Sequence, residues 1–231
     1  SWRLEGYSLD LPRLYLITDR ALVPGGDLEA AVESALRGGA KLIQLREKDL
    51  SGGAMLRLAE SVLVLTRKHR ARLLINDRVD VAAAVGADGA HLGSRGIPIR
   101  EARKILGEKA ILGYSAHTLE EAQMAGRLGA DLVTLGPVFP TRKGYSAPLL
   151  GLDGLQFACA ELTVPVYALG GINAGNVTGA IEAGADGFAL ISSVFAGSDP
   201  EARARELVHL LGGKEPSTPL IRKWLRFWRK G

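Results

Sequence analysis

Gly-Ala-Asp occurs three times in this chain, each time leading into a short apolar segment. Gly86-Ala87-Asp88 precedes Gly-Ala-His-Leu-Gly, Gly129-Ala130-Asp131 precedes Leu-Val-Thr-Leu-Gly, and Gly184-Ala185-Asp186 precedes Gly-Phe-Ala-Leu-Ile-Ser. A variant, Gly39-Ala40-Lys41, introduces Leu-Ile-Gln-Leu-Arg-Glu. A glycine that closes a helix, a tight turn and a buried strand together form the helix-to-strand joint of a parallel sheet. Repeated joints of this kind describe a (β/α) barrel, whose strand ends converge on one shared site.

The 231 residues suit a single domain of this type, for which about 200–250 residues are usual. A hydrophobic content of 47% and a charged content of 23% are those of an ordinary globular protein. No apolar stretch reaches the roughly 18–20 residues of a membrane span. Ser1-Trp2-Arg3-Leu4-Glu5 lacks the features of a signal peptide. The lone Cys159 has no internal disulfide partner, so a reducing cytoplasm is expected. Of the net charge of +4, six Lys or Arg and one Glu from Lys214 to Gly231 supply +5, leaving 4 − 5 = −1 for the rest. The basic character belongs to the tail and is no argument for nucleic-acid binding.

Apolar, often β-branched runs alternate with longer amphipathic segments. Strands are expected at 14–18, 42–45, 73–76, 111–114, 132–135, 164–169 and 188–191, with a fourth in chain order that closes at His91-Leu92. Helices are expected at 28–36, about 53–67, 81–85, about 99–106 and about 201–211. Thr118, with Glu121 three residues on, has the pattern of a capping box, and Asn173 is expected to cap a later helix. Residues 136–152 form a Pro- and Gly-rich loop, long for a strand-to-helix connection. About eight β/α units close a single (β/α)8 TIM barrel over residues 1–212, followed by a short C-terminal extension over 213–231.

Working residues in such barrels sit at the C-terminal ends of the strands. These ends carry Gln44, Arg46 and Lys48; Asn76 and Asp77; His91 and Ser94; Ser115 and His117; Thr141, Arg142 and Lys143; Gly170-Gly171; and Ile191-Ser192-Ser193. Glycine pairs let backbone N–H groups approach a phosphate, and a helix N-terminus adds a favourable dipole. The blander alternative is a tight turn at Gly170-Gly171 and a helix cap at Ser192. Gln44-x-Arg46-x-Lys48 has strand spacing, which puts three side chains on one face and leaves Glu47 on the other. Two cations there need anionic company, either a diphosphate or an ion pair with Asp77. Asp77 could equally hold Mg²⁺. His91 reads as a packed or hydrogen-bonded residue, while His117 could shuttle a proton or pack at a helix start. No zinc spacing or nucleophilic triad has local support.

The ordered segments Leu-Tyr-Leu-Ile-Thr-Asp, Gln-Leu-Arg-Glu-Lys, Ile-Asn-Asp-Arg-Val-Asp, Gly-Ala-Asp-Gly-Ala-His-Leu-Gly, Ser-Ala-His-Thr-Leu-Glu-Glu-Ala, Gly-Pro-Val-Phe-Pro-Thr and Leu-Gly-Gly-Ile-Asn resemble the thiamine phosphate synthases and the related thiazole tautomerases. The resemblance spans about residues 11–211. It implies an enzyme joining an aminopyrimidine methyl diphosphate to a thiazole phosphate, releasing pyrophosphate and using Mg²⁺. By that resemblance Gln44 would hold the pyrimidine, and Arg46, Lys48, Asn76 and Ser115 the diphosphate. Asp77 would be the Mg²⁺ ligand, Thr141, Gly171, Ile191 and Ser192 would seat the thiazole phosphate, and Ser115, His117 and Lys143 would form the catalytic set.

Two departures concern the same site. The synthases carry a second metal-binding aspartate where Ser94-Arg95-Gly96 places Gly96, and their Thr-x-Thr-Lys becomes Thr141-Arg142-Lys143-Gly144. Both changes resemble the tautomerase branch, which rearranges a carboxythiazole phosphate by proton transfer. The retained set of Gln44, Arg46, Lys48, Asn76 and Asp77 favours the synthase, with the tautomerase and a non-catalytic binder of thiamine intermediates as alternatives. In the tail, Ile221, Trp224, Leu225 and Trp228 form a helical stripe among basic residues. Docking of that stripe on the barrel or on a second subunit is preferred to contact with an anionic membrane surface, and homo-oligomer formation is left open.

Overall fold

A computed structural model of the chain describes residues 10–141 and 148–212. Eight parallel strands close a barrel in the order in which they occur in the chain. They are β1 (Leu14–Ile17), β2 (Leu42–Leu45), β3 (Arg72–Asn76), β4 (Gly89–Leu92), β5 (Ile111–Ala116), β6 (Leu132–Leu135), β7 (Val166–Leu169) and β8 (Gly187–Leu190). Between them lie α1 (Leu28–Arg37), α2 (Gly52–Lys68), α3 (Val79–Val85), α4 (Ile99–Leu106), α5 (Leu119–Arg127), α6 (Gly151–Glu161) and α7 (Val177–Glu182). After β8 come the one-turn α8 (Ser192–Phe195) and the longer α9 (Pro200–Leu211), which packs back on α1. The expected barrel is present. The expected Lys143, its neighbour Arg142 and the C-terminal extension over 213–231 lie outside the described residues.

The Gly-Ala-Asp joints do more than turn the chain. Gly86, Gly129 and Gly184 each have positive φ, the left-handed conformation that glycine adopts without steric cost. The aspartate that follows grips the preceding strand twice. Asp88 donates its N–H to the Leu73 carbonyl at 2.9 Å and accepts the Leu73 N–H on Oδ2 at 2.8 Å. Asp131 does the same with Leu112 (2.7 and 2.8 Å), and Asp186 with Val166 (2.8 and 2.8 Å). The carboxylate thus satisfies a strand-starting N–H that would otherwise be buried unpaired. Arginines stand at these latches: Arg103 pairs with Asp131 at 2.8 Å, Arg67 with Asp88 at 3.0 Å, and Arg13 Nε donates to the Asp186 carbonyl at 3.3 Å. Lys41, in the variant joint, has no acceptor to offer and instead donates to the His69 carbonyl.

Strand alternation sorts the core into two layers. Leu16, Ile43, Leu73 and Leu112 face the helices, while Tyr15, Leu42, Leu74, Ile111, Leu132 and Tyr167 fill the lumen. The register pairs lumen residues with lumen residues: Tyr15 with Leu42, Leu74 with Gly89, His91 with Gly113, and Tyr167 with Gly187. All three of these glycines are packing requirements, a Cβ on Gly89 meeting the Ile111 carbonyl oxygen at 1.9 Å. A Cβ on Gly113 would lie 2.3 Å from His91 Nδ1, and one on Gly187 would lie 2.2 Å from the Tyr167 ring.

Two local expectations need correction or completion. Asn173 does not cap the helix after β7; α7 starts at Val177 with Asn176 at its N-cap position. Asn173 instead accepts the Gly175 N–H and, together with Asn176, donates to the Gly171 carbonyl. The Thr118 cap is present, with its hydroxyl accepting the Glu121 N–H while the Glu121 carboxylate accepts the His117 N–H.

The latches differ in burial, and their stability costs should follow. Asp131 has 1% side-chain exposure and its partner Arg103 13%, against 19% and 54% for Asp88 and Arg67. Asp131→Ala strands a buried N–H and leaves the mostly buried Arg103 guanidinium with only carbonyl acceptors such as those of Ala110 and Gly129, and should cost about 3 kcal/mol, whereas Asp88→Ala strands one N–H beside an exposed arginine and should cost about 1–2 kcal/mol. Urea unfolding of both variants measures the difference, and equal costs would contradict the latch description.

Candidate active site

The lumen is apolar towards the starts of the strands and polar towards their C-terminal ends. Moving two residues up each strand replaces Leu42 by Gln44, Leu74 by Asn76, Gly89 by His91, Gly113 by Ser115 and Leu132 by Thr134. Gln44 and His91 are buried to about 1% exposure, so their polar atoms need partners within the protein. Gln44 Nε2 lies 2.9 Å from the Tyr15 hydroxyl, which lies 3.0 Å from His91 Nδ1. His91 Nε2 lies 3.0 Å from Ser115 Oγ, and Thr134 Oγ1 stands 3.4 Å from both. A continuous hydrogen-bonded chain therefore crosses the barrel from β2 through β1 and β4 to β5 and β6. The sequence reading anticipates His91 as a hydrogen-bonded residue and misses Tyr15 and Thr134, whose only sequence signal is a polar atom at a lumen position of an otherwise apolar strand.

β2 ends at Leu45, so strand alternation places Gln44 and no longer dictates Arg46 or Lys48. Thr18 sets the path there, accepting the Arg46 N–H at 2.9 Å and donating to Glu47 at 2.7 Å. Glu47 is consumed by this contact, by the Arg20 N–H and by the Arg20 guanidinium 3.7 Å away. It offers nothing to Arg46. The Arg46 guanidinium has no anionic partner among the described residues, yet its charge bears on His91. That places it on the His91 side of the rim. Lys48 is exposed in the following turn.

Asn76 and Asp77 follow at the end of β3. Asp77 is one of two non-glycine residues with positive φ among the described residues, at 56°, a conformation that costs energy and recurs at functional sites. Its carboxylate accepts from Asn76 Nδ2 and from the Gly93 N–H, both at 3.0 Å. The alternative ion pair between Asp77 and Arg46 is not formed. Gly96 lies directly against this carboxylate, since a Cβ there would be 2.9 Å from Asp77 Oδ1. Among the described residues no three His, Cys, Asp or Glu side chains cluster as a metal site. A single carboxylate beside the rim still suits Mg²⁺, which is commonly held by one or two carboxylates, waters and substrate phosphate oxygens.

The other half of the rim contains a cavity of about 480 Å³. Thr141, Gly171, Ile191 and Ser192 all line it. Gly170 and Gly171 have φ of 97° and 66°, and a Cβ on Gly171 would meet the Pro140 carbonyl oxygen at 2.6 Å. Glycine is required there on both counts. Ser192 opens α8 as its first residue rather than capping it, and the Ser193 hydroxyl donates to the Ile172 carbonyl at 2.7 Å. The first N–H groups of such a turn have no acceptor within the helix. A short extra helix after the eighth strand is a recurrent phosphate-binding feature of these barrels. His117 is exposed at the end of β5, with Nδ1 3.2 Å from the Gly136 carbonyl oxygen.

Burial, assisted by the Arg46 charge, pushes the His91 pKa down to about 3, so the ring is neutral in the folded protein. In the unfolded chain it takes up a proton below about 6.5, so stability falls as pH drops from there towards 3. This linkage should remove about 2 kcal/mol between pH 7 and pH 5. Replacing the ring, as in His91→Gln, should flatten that part of the profile, and an unchanged slope in urea titrations would contradict the neutral assignment.

The family model described as thiamine monophosphate synthase matches residues 14–194. A thiamine-phosphate synthase of Chloroflexus aurantiacus is 45% identical over 196 residues, which is 84% of this chain and 90% of that protein. A thiamine-phosphate synthase of Clostridium novyi is 42% identical over 200 residues, 86% of this chain and 98% of that protein. Among solved structures, a thiamine phosphate pyrophosphorylase from Pyrococcus furiosus superposes with a TM-score of 0.80 at 40% identity, covering 87% of this chain and 95% of the other.

Proposed function

The chain belongs to the thiamine monophosphate synthase family, and on that premise we propose how its rim joins an aminopyrimidine methyl diphosphate to a thiazole phosphate, giving thiamine phosphate and pyrophosphate. The observation that carries the assignment of sites is the division of the rim. Gln44, Arg46, Asn76, Asp77 and Ser115 stand on the consecutive strand ends β2 to β5. Thr141, Gly171, Ile191 and Ser192 share one cavity on the facing side, after β6 to β8. Two anion-accepting regions across one barrel mouth fit two phosphorylated substrates. The tautomerase alternative uses only one of them, and the named relatives are synthases.

In this reading Arg46, Lys48, Asn76 and Ser115 hold the diphosphate, with the Arg46 guanidinium supplying a forked donor and Lys48 a mobile point charge. Gln44 orients the aminopyrimidine in the lumen. Asp77 is the protein ligand for Mg²⁺, which when bound neutralises charge building on the departing diphosphate. Thr141, the Gly171 backbone and the start of α8 seat the thiazole phosphate, which points the thiazole nitrogen across the rim towards the pyrimidine methylene. As the carbon–oxygen bond to the diphosphate breaks, the electron-rich ring stabilises the methylene cation, and the thiazole nitrogen captures it. No side chain forms a covalent bond to the substrate. Rate enhancement comes from positioning and charge stabilisation. His117, with Nδ1 3.2 Å from the Gly136 carbonyl oxygen, stands at the rim and completes the proposed catalytic set with Ser115 and Lys143.

Pyrophosphate release from the two substrates with Mg²⁺ tests the assignment directly. Turnover of a carboxythiazole phosphate without pyrophosphate release would replace it with the tautomerase. Gly171→Ala should raise KM for the thiazole phosphate at least about tenfold by closing the approach to the backbone, with a much smaller change for the pyrimidine diphosphate. Equal changes in both would contradict the divided rim.

Gly96 tests the metal ligand without an activity assay. Gly96→Asp sets a second carboxylate against Asp77. Without metal the like charges should lower Tm, and Mg²⁺ should raise the Tm of the variant more than that of the parent. The same Mg²⁺ response in both would remove Asp77 as the ligand.

A further inference from the structure

We propose that Tyr15 and His91 are positioning residues, and that the buried chain they complete runs in one direction. It fixes Gln44 to present an acceptor and a donor to an amino-substituted heteroaromatic ring, and Ser115 to present a hydroxyl proton to an anionic oxygen. This inference rests on the synthase reading for the identity of the ligands and on the lumen geometry for everything else.

The direction follows from what each atom can do. Gln44 Nε2 is an amide nitrogen and only donates, so the Tyr15 oxygen accepts from it at 2.9 Å. The single phenolic proton then goes to the other partner, His91 Nδ1, at 3.0 Å. Tyr15 is fully buried and His91 is about 1% exposed, so both are held uncharged, the phenol keeping its proton and the imidazole carrying one. With Nδ1 accepting, that proton is on Nε2 and is donated to Ser115 Oγ at 3.0 Å. Thr134 Oγ1 donates to the same oxygen at 3.4 Å. Both lone pairs of Ser115 are then engaged from inside the barrel, and its own proton is directed outward. The far end is set in the same way. With one Gln44 N–H committed to Tyr15, the amide keeps its carbonyl oxygen and its second N–H. That pair complements a ring nitrogen next to an exocyclic amino group.

Two consequences distinguish this chain from a resemblance of form. A Tyr-His-Ser sequence of contacts looks like an activated nucleophile, but activation requires the serine to donate to the histidine. Here the histidine donates to the serine, so Ser115 binds and does not attack. One continuous chain also ties the residue assigned to the pyrimidine to a residue assigned to the diphosphate, at opposite ends of the same substrate. Gly113 keeps the path open, because a Cβ there would occupy the space of the imidazole.

Nitrogen NMR of the parent protein reads the direction first: His91 should carry its proton on Nε2 with Nδ1 unprotonated, and the opposite tautomer would overturn the proposal. Calorimetry with separate probes then reads the two ends. Tyr15→Phe should weaken the aminopyrimidine alcohol, the substrate lacking its diphosphate, about tenfold. His91→Leu should weaken inorganic pyrophosphate with Mg²⁺ about tenfold and leave the alcohol within about twofold of the parent. His91→Gln, whose amide N–H can still donate to Ser115, should recover most of the pyrophosphate affinity. Thiazole phosphate binding should be unchanged throughout. Equal losses for all three ligands would mean a purely structural role and would overturn the proposal, as would no loss at all. If a variant fails to fold, the tautomer of the parent still decides. Absence of pyrophosphate release by the parent would instead overturn the synthase reading, leaving the tautomer result standing.

Discussion

At the closed floor of the barrel, an N–H at or next to the start of β3, β5 and β7 is taken by a side chain and not by a neighbouring strand. In this chain three aspartates take that proton, each bonded twice to one residue of the strand before it. The double bond to a single residue matters because strand register is periodic by two. A slip of one residue would turn every lumen side chain towards the helices. With Leu73, Leu112 and Val166 each held by a fixed partner, β3, β5 and β7 are pinned at alternate positions around the ring. Everything at the rim inherits its orientation from these floor contacts.

The lumen follows as a matter of alternation and volume. Tyr167 and Tyr15 meet edge to face at 5.9 Å, and Tyr15 leans on His91 at 5.6 Å between ring centroids. The three rings, from β1, β4 and β7, meet across the narrow lumen and leave no room for a side chain at the neighbouring register positions, which is why Gly187 and Gly113 stand there. The aromatic column carries polar atoms up through an apolar interior. It lifts the Tyr15 hydroxyl to the level where Gln44 and His91 can reach it. A buried chain of this kind holds a single geometry only when each member is satisfied, and the residues proposed to face the ligands are the two ends of the chain.

How much of this could be read from the sequence depends on the range of the interaction. The strands and helices were legible because their signals are local, and the Thr118 cap lies within one turn. The Gly-Ala-Asp phrase was legible as a joint, since glycine at positive φ is a local property. The purpose of its aspartate was not, because the N–H that its carboxylate accepts lies in the preceding strand, 15 to 20 residues away. Asn173 was misplaced as a cap for a similar reason. The turn after Gly171 consumes it before the helix begins, and Asn176 stands nearer the first helical residue. Gln44, Asn76, Ser115, Gly171 and Ser192 could be found because they end strands or follow them. Tyr15 and Thr134 could not be ranked above other strand residues until the pairing of β1 with β2 and of β5 with β6 was known.

The same distinction explains why the two halves of the rim look so different. In the proposed reading the phosphate-binding capacity around β7 and β8 is mostly backbone: positive-φ glycines, a close approach to the loop after β6, and the first N–H groups of a one-turn helix. Such a site depends on shape and tolerates no Cβ. Around β2 to β5 the capacity is carried by side chains, and their charges must be held apart from one another until a ligand arrives. Glu47, the nearest acid to Arg46 in the chain, is drawn off by Thr18 and Arg20, and Asp77 is occupied by amide donors. The Arg46 cation stays available because the neighbouring acids are bound elsewhere, and the neutral His91 beside it adds no second positive charge. In the proposed reading an incoming diphosphate therefore meets donors already oriented and a cation already uncoupled, so little reorganisation is needed when the carbon–oxygen bond begins to break.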